Sequence, residues 1–390
     1  MDISPQSLEL FLLVACAVAI LSRRIGIPYT VGLLLGGFAL SHLDLAPPGH
    51  LSHELIFSWL LPPLIFESAL HLSWRELRPQ LAVVSLLATV GVLAAALITM
   101  ILLIWGASMP WQAALIIGVA LSATDPVSVL ALLKEAKLPA RIHRLVESES
   151  LLNDGTSAAL FSLAPLLVAG TTSIGSVVSL SALSIAGGLV CGAAVGGAAL
   201  ALAGRTTDHL VEVAVTILAA FGSFYLAESV HASGILSTLA AGMVLGSLRE
   251  RGFITERGHE SAEIFWEFAG FLANSAIFLF IGIDLDELKP VHHSFVIVAT
   301  IAASLLSRAA VVYLGCLPFH RSRHHVPLRV QHLLFWGGLR GALALALILG
   351  LPPETPDLAL IRSAVFYAVA FSIVIQGLTV GRLIRSLRDS

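Results

Sequence analysis

Two carboxylates, an amide and a hydroxyl recur at helical spacing between Glu149 and Asp154. Residues four apart share one face of an α-helix, so Glu149 stacks with Asn153, and Ser150 stacks with Asp154. Carboxylate, hydroxyl and carbonyl oxygens are the ligands that a hard cation such as sodium prefers. The stripe therefore predicts a cation site. The adjoining Glu147 is better explained as an acid at the end of a helix.

A second candidate is the sequence Thr124-Asp125-Pro126. Proline has no N–H to donate to a helix, and its ring clashes with the carbonyl one turn earlier. We therefore expect the helix to be interrupted here, which frees backbone carbonyls beside Asp125. The alternative is an ordinary proline kink with an incidental aspartate.

A third candidate is Arg340, which has Gly337, Gly338 and Gly341 around it. The glycines predict another interrupted helix, although small residues also allow close helix packing. A guanidinium within an apolar run must face carboxylates, carbonyls or water.

Composition shows what kind of chain must position these residues. Of 390 residues, 57% are hydrophobic and 12% are charged, and the net charge is −3. Soluble domains carry about 25% charged residues. The values exclude an ordinary soluble enzyme, a disordered chain and a nucleic-acid binder, which would need a basic excess. The chain is predicted to be a polytopic membrane protein, in which each ionisable side chain within a span costs at least ~2.5–3.5 kcal/mol and needs an explanation.

Apolar runs near the ~20 residues that a membrane span requires number thirteen. Basic residues concentrate in cytoplasmic loops, and alternate loops hold 18 of the 22 lysines and arginines. This alternation predicts thirteen helices with the N-terminus outside and the C-terminus in the cytoplasm. The predicted spans lie near 6–22, 26–41, 51–72, 79–105, 111–133, 143–169, 177–203, 208–228, 232–248, 262–283, 292–318, 327–349 and 358–381.

The order of the spans predicts two six-helix repeats, 1–170 and 208–390, joined by a linking helix, 171–207. A single intervening helix inverts the second repeat relative to the first. The two interrupted helices are then the fifth of each repeat, and matched interruptions of this kind indicate a transporter built from inverted repeats. The sequence contains no GxxxxGK[ST] motif, so we expect no nucleotide-driven step.

Two further charges lie within predicted spans. Glu67 either lines the transport pathway or pairs with an arginine, and Arg308 is expected to neutralise one of the acids.

Four blocks of sequence resemble the monovalent cation/proton antiporter family, in the branch with an Asn-Asp motif. This family includes bacterial sodium/proton antiporters and animal sodium/hydrogen exchangers. The blocks are Ala123–Val127, Glu149–Asp154, Ser307-Arg308 and Gly337–Ala342. Ser148 departs from the pattern, because the family often has glycine there.

The resemblance implies a role for each matching residue. Asp154 would bind the proton and the cation alternately. The implied sodium shell consists of Asp154, Asp125, Ser150 and the Thr124 carbonyl. The implied supporting network consists of Glu149 paired with Arg308, Asn153 held beside them, and Arg340 balancing charge at the broken helix, with Glu67 as a further member.

The resemblance also implies a homodimer in which a core domain moves against a dimerisation domain. The dimerisation domain would span about 1–75 and 208–285, and the core about 79–170 and 292–385. We expect an all-α protein of the bacterial inner membrane whose partners are the lipid bilayer, a monovalent cation and the proton. No cofactor, nucleotide or nucleic acid is expected.

Elementary electrostatics predicts exchange at such a site. Burial disfavours the charged form of a carboxylate, so a proton and a sodium ion compete for it, and only loaded states cross. The family resemblance adds that members with Asn-Asp instead of Asp-Asp are generally electroneutral, so Asn153 implies electroneutral exchange of Na+ or Li+ for H+. A K+/H+ antiporter and, less favoured, a sodium-coupled organic anion symporter remain alternatives. An intramembrane hydrolase is not expected, because no HExxH motif or Ser/His pair lies within a span.

Overall fold

The computed structural model describes residues 5–45, 52–72, 74–136, 138–168, 170, 172–247, 254–287, 294–322 and 324–388. Within these ranges the regular structure is entirely helical, apart from one isolated β-bridge between Asp125 and Leu339. An all-α fold is therefore confirmed for the described part of the chain.

Ten helices form the first part of the chain: α1 (Pro5–Ile25), α2 (Tyr29–His42), α3 (Leu61–His71), α4 (Trp74–Leu77), α5 (Leu81–Ala88), α6 (Val90–Ala107), α7 (Trp111–Ala120), α8 (Val127–Glu135), α9 (Ala140–Phe161) and α10 (Ala164–Val168). A π-helical turn, Leu55–Leu60, precedes α3, and a 3₁₀ turn, Arg78–Gln80, precedes α5.

Nine helices form the second part: α11 (Ile174–Ala203), α12 (His209–Ser229), α13 (Gly234–Ser247), α14 (Glu256–Glu287), α15 (Ser294–Cys316), α16 (Leu328–Trp336), α17 (Ala342–Leu349), α18 (Leu358–Phe371) and α19 (Gly377–Arg388). A 3₁₀ turn, Leu317–Phe319, follows α15, and a π-helical turn, Ser372–Gln376, joins α18 to α19.

The described residues contain seven helical segments that are long and apolar enough to cross a membrane. Four more apolar helices are shorter, at 10–17 residues. The protein is therefore an integral membrane protein by composition and helix length, and the count of thirteen spans stays a prediction. The seven segments are Arg78–Ala107, Ala140–Val168, Gly175–Ala203, His209–Ser229, Glu256–Leu285, Ser294–Phe319 and Leu358–Arg385.

Helix packing divides the molecule into two groups. The first group, which we call the scaffold bundle, consists of α1–α3 and α11–α14. The second, which we call the core bundle, consists of α5–α9 and α15–α19. Helix α11, predicted as a linker between repeats, packs along α12 and α13, so its packing places it with the scaffold bundle.

Close backbone approach holds the scaffold bundle together. A Cβ on Gly37 of α2 would overlap the carbonyl oxygen of Leu279 on α14, and a Cβ on Gly282 would overlap that of Leu34. A glycine stripe on α11 at Gly188, Gly192 and Gly196 lies against α13 in the same way. Small residues let helices in lipid approach until their backbones touch, which maximises van der Waals contact.

Candidate functional site

The two interrupted helices meet at their breaks. Helix α7 ends at Ala120 and α8 begins at Val127, whereas α16 ends at Trp336 and α17 begins at Ala342. The unwound segments run antiparallel, and the Asp125 N–H donates to the Leu339 carbonyl at 2.7 Å. The interruptions predicted from proline and from glycine are therefore both present.

The carboxylate of Asp125 is positioned by both breaks. Its Oδ1 accepts the N–H of Val127 at 2.9 Å and so satisfies one of the unpaired donors at the start of α8. From the other segment, Gly341 lies so close that an added Cβ would overlap the Asp125 carboxylate. Glycine at this position therefore lets the two unwound segments cross beside the acid.

The buried guanidinium of Arg340 satisfies backbone groups of the opposite break. Its Nη1 donates to the carbonyl of Ala123 at 3.0 Å and to that of Ser122 at 3.3 Å, and its Nε donates to Ser304 Oγ at 3.3 Å. Carbonyls were among the partners expected for this arginine. Its positive charge therefore lies against the C-terminal end of α7, where the helix dipole is negative.

Glu149 and Arg308 form a two-point ion pair inside the core bundle. Arg308 Nη1 and Nη2 donate to the two carboxylate oxygens at 2.8 and 3.0 Å, and the guanidinium also donates to the Leu334 carbonyl. The exposed fraction is 1% for Glu149 and 5% for Arg308. A pair this far removed from water depends on good geometry and on further hydrogen bonds. The acid that Arg308 was expected to neutralise is therefore Glu149.

Asn153 links the ion pair to the first break. Its Nδ2 donates to Glu149 Oε1 at 3.2 Å and to Thr124 Oγ1 at 2.6 Å, while its Oδ1 accepts the Thr124 N–H at 3.2 Å. The Thr124 and Ser150 hydroxyls lie 3.1 Å apart and share a hydrogen bond. The network therefore fixes the unwound segment against α9.

A small cavity of about 50 Å³ separates this network from the scaffold bundle. Thr124, Asp125 and Asp154 line it from the core side. Asp154 Oδ1 is buried and has no hydrogen-bond partner among the described residues. Of the predicted sodium shell, Ser150 does not line the cavity and instead contacts Thr124. The cavity is large enough for one water molecule, or for an ion of similar size bound by oxygen atoms.

Two polar residues of the scaffold bundle, Glu67 and Asn274, differ in whether they line the cavity. Glu67 on α3 is not part of the cavity lining; its carboxylate lies 3.9 Å from His71 Nε2 and accepts from the Ser68 hydroxyl. Asn274 on α14 does line the cavity, facing the aspartates from the opposite bundle. Sequence reasoning assigned no role to Asn274, because one amide in an apolar run has no spacing that distinguishes it.

Comparison with known proteins identifies the family. The model of the family described as "Sodium/hydrogen exchanger, transmembrane" matches residues 11–386. The low-affinity Na+/H+ antiporter NhaS1 of Synechocystis is 36% identical over 396 residues, covering 98% of this chain and 75% of that one. The Na+/H+ antiporter ApNhaP of Aphanothece halophytica is 34% identical, with 98% and 75% covered.

A solved structure shows the same fold. The sodium proton antiporter MjNhaP1 of Methanocaldococcus jannaschii superposes with a TM-score of 0.78 at 18% identity, covering 98% of each chain. Because the family model spans nearly the whole sequence, including both helix breaks and the ion pair, this chain belongs to the sodium/hydrogen exchanger family.

Proposed function

We propose that this protein is a secondary active antiporter that exchanges Na+ or Li+ for H+, with Asp154 binding the proton and the cation alternately. One observation carries the assignment of the site. Asp154 and Asp125 line one cavity at the crossing of two broken helices, and the buried Asp154 Oδ1 has no partner among the described residues. A buried carboxylate that is left unpaired is costly unless a proton or a cation accompanies it.

The proposed cation shell combines charged and neutral oxygens. Asp154 and Asp125 supply carboxylates, and the Thr124 carbonyl is a third ligand on the same wall. The Ser150 hydroxyl, the fourth proposed ligand, shares a hydrogen bond with the Thr124 hydroxyl next to this wall. Oxygen-only ligands suit Na+.

Charge balance around the site supports electroneutral exchange. Three carboxylates (Asp125, Glu149 and Asp154) lie together with two guanidinium groups (Arg308 and Arg340), so the ionised cluster has one excess negative charge. Binding of either one Na+ or one H+ neutralises it. Since an uncompensated charge in a low-dielectric site is strongly disfavoured, only loaded states reorient, and the exchange is one for one.

The architecture suits alternating access. We propose thirteen spans, with the N-terminus outside and the C-terminus in the cytoplasm, arranged as inverted repeats 1–170 and 208–390 around 171–207. In this proposal the core bundle moves against the scaffold bundle, which forms the homodimer contact in a bacterial inner membrane. The cavity lies between the two bundles, which is where a relative movement would open and close a path to the aspartates.

Transport by purified protein in liposomes tests the site. A Na+ gradient should drive proton movement, read by a pH-sensitive dye, and Asp154→Asn should reduce the rate to that of empty liposomes. Asp208→Asn is the matched control, because Asp208 is an exposed carboxylate that caps α12. Unimpaired exchange by Asp154→Asn would refute the assignment.

Two additions to this assay separate the alternatives. Replacing Na+ with Li+ or K+ gives the ion preference, and a dominant response to K+ would identify a K+/H+ antiporter. A requirement for an added organic anion would indicate a symporter. Clamping the membrane potential should leave the rate unchanged, and a rate that follows the potential would exclude electroneutral exchange.

A further inference from the structure

Asn274 has a buried side-chain amide whose oxygen, Oδ1, makes no hydrogen bond to any described residue. It lies on α14, its exposed fraction is 6%, and its Oδ1 is inaccessible and unpartnered among the described residues. Nearly all buried polar atoms in proteins have a partner, so an exception calls for an explanation. A ligand that binds in the cavity beside Asn274 would explain it.

The surroundings of Asn274 locate that ligand. Asn274 lines the same cavity of about 50 Å³ as Asp125 and Asp154, but from the scaffold bundle. Asp154 Oδ1 is likewise buried and unpartnered among the described residues. Two residues on opposite bundles therefore line one small space, and each has a side-chain oxygen that lacks a partner among the described residues.

The neighbouring residues on α14 show that this is not a general property of the helix. Ser275 shares a hydrogen bond of 2.7 Å with Tyr29 Oη and also donates to the Phe271 carbonyl. Phe271 stacks on Tyr29 with ring centroids 5.5 Å apart. The polar and aromatic groups on either side of Asn274 are thus engaged with α2, whereas its own amide borders the cavity.

We infer that the Asn274 amide oxygen is the scaffold bundle's contribution to binding the transported cation, and that it sets the apparent affinity and selectivity for that cation. This inference rests on the proposed function, because the ligand is the cation held at Asp154. The oxygen acts directly or through one water of the cation's hydration shell. A side-chain amide does not titrate in the working pH range, so its oxygen stays available as a neutral ligand that stabilises the cation-loaded state.

The core bundle carries the aspartates, whereas the scaffold bundle carries Asn274. When the two bundles shift, the cation stays with Asp154 and leaves the amide. Asn274 therefore stabilises the cation in one of the two access states, which makes it a determinant of KM more than of the maximal rate.

The test replaces the oxygen while keeping the volume. Asn274→Leu removes the polar atoms, and we expect the KM for Na+ to rise about tenfold, with the maximal rate within about twofold of that of the unmodified protein. The proton dependence at saturating Na+ should be unchanged. Asn274→Asp keeps an oxygen at the same place, so its KM should be equal to or below the original value, while the added negative charge should shift the proton dependence. The smaller Asn274→Ala carries the same test if the leucine variant does not yield monodisperse protein.

The matched control is Ser275→Ala, a buried polar residue on the same helix outside the cavity lining. Its KM should not change. The inference is wrong if Asn274→Leu leaves the KM unaltered, or if the leucine and aspartate variants raise it equally. Equilibrium binding of radioactive Na+ to purified protein measures the same contrast without transport. A failure of Na+-driven proton flux in the unmodified protein would refute the proposed function instead.

Discussion

The scaffold bundle and the core bundle are held together by different physics. In the scaffold, backbones touch at glycines, as where α2 meets α14 at Gly37 and Gly282. In the core, buried hydrogen bonds join the two helix breaks, and the Glu149–Arg308 ion pair joins α9 to α15. Both bundles must satisfy the same rule, that buried polar groups be paired. The core buries the charged side chains Glu149, Arg308 and Arg340, whereas the buried polar side chains of the scaffold are mainly hydroxyls.

The difference explains where transport chemistry can take place. Uninterrupted helices pair their own backbone groups, so the buried side-chain hydrogen bonds of the scaffold, such as that from Trp266 Nε1 to Thr216 Oγ1, join one helix to another and do not fill gaps in the backbone. The breaks at 121–126 and 337–341 leave backbone groups unpaired, and the core satisfies them with side chains such as Arg340. Irregular backbone within a membrane protein is tolerated where it lines a protein interior or a cavity. We therefore expect substitutions at the helix contacts of the scaffold to alter stability, and those at the breaks, or at Asn274 in the cavity lining, to alter transport.

The largest expected effect is on the stability of the core. Arg308→Met leaves the buried Glu149 carboxylate without its counter-charge, which should destabilise the protein by about 3–5 kcal/mol. Thermal unfolding of the detergent-solubilised protein measures it. Arg205→Met, at an exposed position, is the control. Adding Glu149→Gln to Arg308→Met removes the unpaired charge and should recover part of the loss; no recovery would contradict the ion-pair explanation.

A glycine contact in the scaffold should have the next largest effect. A methyl group at position 282 would overlap the Leu34 carbonyl, and because backbone cannot move aside cheaply, Gly282→Ala should cost about 1–3 kcal/mol. The KM for Na+ should stay unchanged in the protein that folds. The control is Gly222→Ala on α12, because its added methyl group meets nothing within 4 Å. Equal melting temperatures for the two variants would show that close packing at α2 and α14 does not matter.

The same chemical change at the helix breaks should act on transport. Gly341→Ala places its methyl group against the Asp125 carboxylate, and the displaced acid should raise the KM for Na+ about tenfold, ~1.4 kcal/mol. The melting temperature should fall less than that of Gly282→Ala. Gly381→Ala on α19 of the core bundle is the control, because its added atom meets nothing within 4 Å. A normal KM for Gly341→Ala would remove the proposed distinction between the bundles.

The smallest expected effect concerns an isolated hydrogen bond of the scaffold. Tyr29→Phe removes the bond to Ser275 Oγ, which should cost about 1 kcal/mol. Transport should be unaffected, because this bond joins two scaffold helices and not the cavity wall. Liposome assays and thermal unfolding of the same preparation check both statements. A raised KM would mean that α14 must be held rigidly for the site to work.

The sequence was sufficient for features that depend on local chemistry. Pro126 and the glycines around Arg340 predicted both helix interruptions, because a missing N–H and a missing Cβ act on the turn in which they occur. The placement of Asn153 beside Glu149 likewise follows from helical spacing and is observed at 3.2 Å. Each of these inferences needed only a few neighbouring residues.

Features that depend on distant contacts were out of reach. Arg308 was expected to neutralise an acid, but Glu149 lies 159 residues away, and its choice as the partner rested on family resemblance. Helix α11 was predicted as a linker between repeats, which stays a prediction, and the sequence did not indicate that its glycine stripe packs on α13 of the scaffold. Asn274 carried no signal, because its significance depends on facing the aspartates across the cavity.

By itself, then, the sequence determined that this is an integral membrane protein, and it predicted that the few charges within its spans form the transport site. A composition with 12% charged residues cannot cover a soluble protein, and charge within an apolar span is too costly to be incidental. Tertiary structure alone decided which charges neutralise one another and which oxygens border the cavity. The physical reason is that both depend on two broken helices crossing at Asp125 and Leu339, residues more than two hundred positions apart in the chain.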